Sequence, residues 1–119
     1  MKRFNSLKKN QDFQTVYRGG KSYANKYLVM YIRENHSDVN RLGISVSKKV
    51  GNSVVRHRVT RLIRESYRLN ERSFRQGLDI VVVARPNAKD KSYQEIESAL
   101  MHLAGRMKIR REAELHVED

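Results

Sequence analysis

An α+β fold, one small sheet packed with helices in a single domain over residues 1–119, follows from three features of the chain. Two stretches alternate apolar with polar residues, and a third is continuously apolar; these read as strands. Three other stretches repeat apolar residues at intervals of three and four, and read as helices. The two kinds interleave as α-β-β-α-β-α, and 119 residues are enough for one core.

The first helix is expected over residues 10–18, with Asn10 as its cap and Gly19-Gly20 as its stop. Phe13, Val16 and Tyr17 share one face of it. A strand follows over residues 23–33, with Leu28, Met30 and Ile32 on one side and Tyr27, Val29 and Tyr31 on the other. Residues 36–40 read as a polar turn. The next strand, residues 41–47, sends Leu42, Ile44 and Val46 to the core and Arg41, Gly43, Ser45 and Ser47 away from it. A basic loop, Lys48 to Asn52, leads into a helix over Ser53–Asn70. The apolar run Ile80 to Ala84 marks a buried strand over residues 79–85, and Pro86 ends it. The last helix covers residues 92–107, with Ser92 and Glu95 spaced as a capping box. Its Tyr93, Ile96, Leu100, Leu103 and Met107 form a core-facing stripe.

The net charge of +12 points to a polyanionic partner. Its distribution is informative. Residues 1–92 hold 21 Lys and Arg against 7 Asp and Glu, whereas residues 93–119 hold 4 against 6. The positive charge therefore belongs to the body of the domain and not to a basic tail. The chain has no cysteine, so it has neither a disulfide nor a thiolate metal site. No apolar run reaches membrane-spanning length, and the basic start Met1-Lys2-Arg3 lacks the apolar stretch of a signal peptide. The expected location is the cytoplasm, with no membrane partner and no obligate protein partner.

The helix Ser53–Asn70 carries most of the functional information. At about 100° per residue, Val55, Val59, Leu62, Ser66 and Leu69 gather on one side. His57, Arg61, Arg64 and Arg68 gather on the other, flanked by Arg56 and Arg58. From Arg41 to Arg68 there are eight Lys and Arg against one acid, Glu65. A merely solvated helix mixes charge signs, because like charges four residues apart repel. An anionic partner turns that repulsion into attraction, and arginine's planar fork suits bidentate contact with phosphate. Lys48, Lys49, Gly51, Asn52 and Ser53 stand at the start of this helix, where free backbone N–H groups attract phosphate. Asn52 or Ser53 serves equally well there as an ordinary cap. A second candidate surface joins Phe13 and Tyr17 to Tyr27 and Tyr31, aromatics that can stack on unpaired bases. The pattern alone fits a minor core under the first helix somewhat better.

Nothing in the chain reads as a catalyst. There is no glycine-rich phosphate loop, and His36, His57, His102 and His116 have no zinc-like spacing. The acids are too scattered for a two-metal nuclease center.

The stretch Leu42-Gly43-Ile44-Ser45-Val46-Ser47-Lys48-Lys49-Val50-Gly51-Asn52-Ser53-Val54-Val55-Arg56-His57-Arg58, continuing through Glu65, resembles the signature of the bacterial ribonuclease P protein family. So do Leu7-Lys8-Lys9-Asn10, Asp12-Phe13, Tyr17 and the run Asp79 to Pro86, and the resemblance covers about residues 4–105. The family's Arg-Asn-Arg motif reads Arg56-His57-Arg58 here, and a further basic position is Thr60.

The resemblance implies a four-stranded sheet with a left-handed β-α-β crossover, the fourth strand coming from about residues 21–23. It implies that Lys48, Asn52, Arg56, His57, Arg58, Arg61, Arg64 and Arg68 bind a catalytic RNA subunit. It places the 5′ leader of precursor tRNA in a groove made by Phe13, Tyr17, Tyr31 and Lys49, with Tyr27 at its edge. That favors stacking over the covered minor core. It also implies that the RNA catalyses hydrolysis of one phosphodiester bond and holds most of the Mg2+, with no organic cofactor and no catalytic side chain in the protein. The alternatives are a ribosomal or ribosome-assembly protein, a metal-dependent nuclease acting alone and a single-strand nucleic-acid chaperone. Residues 108–119 are expected as a flexible tail.

Overall fold

The computed structural model describes residues 5–111. Their elements are β1 (Asn5–Ser6), α1 (Asn10–Gly19), β2 (Lys21–Ala24), β3 (Leu28–Glu34), β4 (Arg41–Ser45), α2 (Ser53–Asn70), β5 (Leu78–Ala84) and α3 (Tyr93–Arg106). The strands form one mixed sheet in the order β1-β4-β5-β3-β2. β4 runs parallel to its neighbor β5, and α2 connects them. This is the β-α-β unit whose left-handed sense the resemblance implies. The class is α+β, as expected.

The sheet has five strands and not four. The additional strand, β1, pairs Asn5 with Arg41 and Ser6 with Leu42; two residues are too few for alternation to register. The strand expected over residues 23–33 is two antiparallel strands, β2 and β3. They part at Asn25, whose Oδ1 accepts the N–H groups of Tyr27 and Leu28 at 3.2 and 3.0 Å. An asparagine turn of this kind needs no glycine or proline. β2 begins at Lys21, right after Gly20, where a Cβ would lie 2.1 Å from the Ile32 carbonyl oxygen.

Helices cover both faces of the sheet. α2 and α3 bury Leu28, Met30, Ile32, Leu42, Ile80 and Val82 on one side. α1 covers Val81 with Val16 on the other. The central strand β5 is thus buried on both faces, which explains its continuous apolar run.

Three element details differ from the expectation. Asn10 is the first residue within α1; the cap is Lys9, which makes no side-chain cap bond. The buried side of α2 consists of Val59, Ile63, Ser66 and Tyr67, while Leu69 is exposed. The inward face is therefore rotated by roughly 60° from the apolar stripe, at about 100° per residue. Finally, the chain does not leave the body at residue 108. Ile109 is fully buried, Arg110 bridges to Phe74, and the Arg111 N–H donates to the Ser73 carbonyl at 2.8 Å. The rest of the expected tail lies outside the described residues. α3 carries the expected capping box between Ser92 and Glu95.

Candidate nucleic-acid interface

α2 begins at a well-formed cap: the Asn52 side chain accepts the Val55 N–H at 3.0 Å. The ordinary capping role is therefore filled, and it leaves Lys48 and Lys49 exposed just before the helix. No acidic residue occupies the first turn, so its positive dipole end adds to those two charges.

The basic residues of α2 divide by what they touch. Arg58 is half-buried and donates to the Lys91 carbonyl at 2.8 Å and to that of Lys89 at 3.4 Å, tying α2 to the loop before α3. Arg56 donates to the Gly51 carbonyl at 3.2 Å and braces the start of its own helix. Arg68 grips Glu65 through two hydrogen bonds, and these hold the Glu65 carboxyl below its ordinary value. His57, Arg61 and Arg64 are exposed and make no side-chain hydrogen bond or ion pair among the described residues. The stripe is thus not uniform: three members hold the fold, and three face outward without a counter-charge.

The aromatic surface is equally mixed. On the α1 face of the sheet, Leu7, Val16 and Val81 are buried, with Phe13, Tyr17, Tyr31 and Val83 half-buried around them. Tyr17 meets Tyr31 edge-on, centroids 4.8 Å apart, and Phe13 lies 6.5 Å from Tyr17. Phe13 rests on Gly43, where a Cβ would stand 2.6 Å from its ring. The cluster is both a minor core and a surface, because all three rings belong to residues that are only half-buried.

Tyr27 is not part of it. Its side chain packs on the main core beside α3, and it lines a concavity with Ala99 and His102. The Lys91 ammonium lies 5.3 Å from its ring center. Strict alternation assigned Tyr27 to the α1 face, but the Asn25 turn interrupts the strand and turns the residue away.

A cleft of about 220 Å³ joins the two surfaces. Lys8, Phe13, Thr60 and Arg64 line it, over Leu42 and Ile44 of β4. Lys8 was not among the expected site residues, although its place beside the buried Leu7 fits a lysine that faces out as its neighbor turns in. Thr60 donates to the Arg56 carbonyl at 2.9 Å and satisfies its hydroxyl within the helix.

A second missed feature steadies this region. Asp79, 2% exposed, accepts Arg41 Nε at 2.8 Å and its terminal nitrogen at 2.6 Å, with Asn35 Nδ2 at 2.9 Å. Burial would raise the Asp79 carboxyl, but the hydrogen bonds from Arg41 and Asn35 and the nearby Arg33 charge hold it below its ordinary value. Asp79 stands between Arg41 of β4 and Arg33 of β3 in the register of the sheet.

Among the described residues no group of three or more His, Asp or Glu gathers as a metal site, and no helix is long and apolar enough to cross a membrane. The fold and the site define a class: a small α+β domain that presents uncompensated arginines beside half-open aromatic rings, an arrangement suited to a polyanion carrying planar bases. Comparison with known proteins supplies the particular family. The Ribonuclease P family model matches residues 1–108, and the chain belongs to that family. The ribonuclease P protein component of Lachnoclostridium phytofermentans is 67% identical over 104 residues, which are 87% of this chain and 90% of that protein. That of Alkaliphilus metalliredigens is 60% identical over 105 residues, 88% of this chain and 95% of that protein. The RNase P protein of Staphylococcus aureus superposes with a TM-score of 0.82 at 41% identity, covering 90% of this chain and 98% of that one. The Thermotoga maritima RNase P protein gives 0.79 at 32% identity, covering 87% and 97%.

Proposed function

We propose that this chain is the protein subunit of a bacterial ribonuclease P, the tRNA-processing endoribonuclease, and that it works in the cytoplasm on precursor tRNA. The observation that carries the reading is the shared cleft: Arg64 from the cationic helix and Phe13 from the aromatic cluster line one opening. A single RNA-covered surface can therefore include both.

In this reading, His57, Arg61 and Arg64, with Lys48 at the helix start, meet the phosphates of the catalytic RNA subunit, and Lys49 serves the 5′ leader. Arg56, Arg58, Arg68 and Asn52 hold that surface in shape. The half-buried rings of Phe13, Tyr17 and Tyr31 receive unpaired bases of the 5′ leader, while Val83 between them supplies an apolar floor. Tyr27, on the other side of the sheet, takes no part. The RNA subunit performs the hydrolysis and holds most of the Mg2+. The protein neutralises phosphate and lengthens the contact with substrate.

The test is leader dependence. Replacing Tyr31 with Ala should weaken binding of precursor tRNA to the assembled enzyme by about 1–3 kcal/mol, the cost of one lost stacking partner. Mature tRNA without a leader should bind as before. Equal losses for both RNAs would contradict the leader assignment.

A further inference from the structure

A second cationic surface lies away from α2. Lys21 of β2, Arg33 of β3, His36 and Arg75 line a concavity of about 400 Å³, together with Gly19, Gly20, Ile32, Glu34, Leu78 and Met107. In the register of the sheet this is the end marked by the pairs Glu34–Leu78 and Lys21–Ile32. The loop Lys48 to Asn52 follows the opposite end of β4, whose last residue Ser45 pairs with Val83.

The concavity is polar, and its charge is unbalanced. Among the described residues that line it, Glu34 is the one acid; it meets Arg75 at 3.6 Å with both side chains substantially in water, a pairing worth little, while Arg33 also faces the Asp79 carboxylate behind the lining. The backbone that presents the cations is firmly held. The Asn35 N–H donates to the Gly77 carbonyl at 2.9 Å, and its side chain reaches Asp79. The buried Asn40 donates to the Arg75 carbonyl at 2.9 Å and accepts the Leu78 N–H at 2.8 Å. His36 sits at a left-handed φ of 59°, with Asn35 Oδ1 accepting the Ser37 N–H across it at 2.9 Å. Two loops distant in sequence are thus locked together so that His36 and Arg75 open onto the same hollow as Lys21 and Arg33. Cations on a prearranged backbone bind phosphate without first losing loop entropy.

We propose that this hollow takes a phosphodiester group of bound RNA, a contact separate from the α2 face and at the other end of the sheet. The proposal rests on the RNA-binding reading above. It extends the footprint of the domain to both ends of the sheet. The phosphate belongs either to the RNA subunit or to precursor tRNA.

The experiment uses the full chain with the triple substitution Lys21→Gln, His36→Asn and Arg75→Gln; asparagine accepts the left-handed backbone at position 36. Affinity is measured against salt in two arms: the protein with ribonuclease P RNA, and the assembled enzyme with precursor tRNA. The expected result is about a ten-fold loss at low salt and a log–log salt slope shallower by about 0.7–0.9 for each phosphate contact removed. Loss in the first arm assigns the phosphate to the RNA subunit; loss in the second arm alone assigns it to the substrate. Unchanged affinity and slope in both arms would overturn the proposal. Lys21→Arg with Arg75→Lys should retain binding, whereas a loss there would show a structural role and also overturn it. Arg61→Gln with Arg64→Gln, measured in parallel, separates the two readings: if that pair also leaves affinity unchanged, the RNA-binding reading itself fails.

Discussion

Asp79 shows how much one residue can hold without touching a ligand. Arg41 and Asn35 hydrogen-bond its buried carboxylate, which keeps its folded-state pKa below the ordinary value. A carboxyl lowered in this way contributes stability that is fully present above its unfolded pKa and is lost as pH falls through the folded one. Replacing Asp79 with Ala should lower the unfolding free energy at neutral pH by about 2–3 kcal/mol, toward the low end for a buried pair because Arg41 keeps partial access to water. It should also flatten the loss of stability below about pH 5. Denaturant unfolding across that range checks both; an acid limb as steep as the parent's would contradict the assignment. Gly43 is a second such residue. A Cβ there meets the Phe13 ring at 2.6 Å, so Gly43→Ala must displace the ring. The expected cost is about 1–3 kcal/mol in thermal unfolding, accompanied by weaker binding of leader-bearing tRNA. A variant with parental melting and parental leader dependence would show that Phe13 yields freely.

At the scale of elements, α2 separates binding from folding. Arg61 and Arg64 are exposed and without partners among the described residues, so reversing both to Glu should abolish RNA-subunit binding and leave the melting temperature nearly unchanged. Arg58→Ala should do the opposite: it frees two carbonyls of the loop before α3 and costs about 1–3 kcal/mol of stability. Binding and melting measured on both variants check the division. Composition and period could not supply it, because Arg58 and Arg61 look alike in a helical projection, and only the third dimension brings Lys89 and Lys91 to one of them. The bounds of α2 and the capping box of α3 were legible, since both rest on local spacing. The inward face of α2 was less so. Leu69 belongs to the apolar stripe, yet the body it would pack on is absent there, while Tyr67 closes edge-on against Phe74 at 5.1 Å. Tyr27 was misplaced for a related reason: the Asn25 side chain imitates a backbone turn, so alternation continues in the sequence after the strand has ended.

The whole molecule is organised around charge carried by a rigid body. The cations proposed to meet RNA come from α2, from the loop before it and from the sheet end near Arg75, and on that proposal the affinity for RNA is a sum over separated contacts. Affinity should therefore fall by about 0.7–0.9 log units per log unit of salt for each phosphate engaged, and a flat dependence would reject the electrostatic account. The net charge of +12 made a polyanionic partner legible at once. The five-strand order was not, because β1 earns its place only by pairing with β4, a contact 36 residues away in the chain.

In the proposed function this protein assists an RNA catalyst. The most direct measurement is cleavage of precursor tRNA at low magnesium by the protein alone, by a bacterial ribonuclease P RNA alone and by the two together. Correct 5′ maturation is expected only in the combined reaction. Unassisted cleavage by the protein, or no stimulation of the RNA by it, would contradict the account.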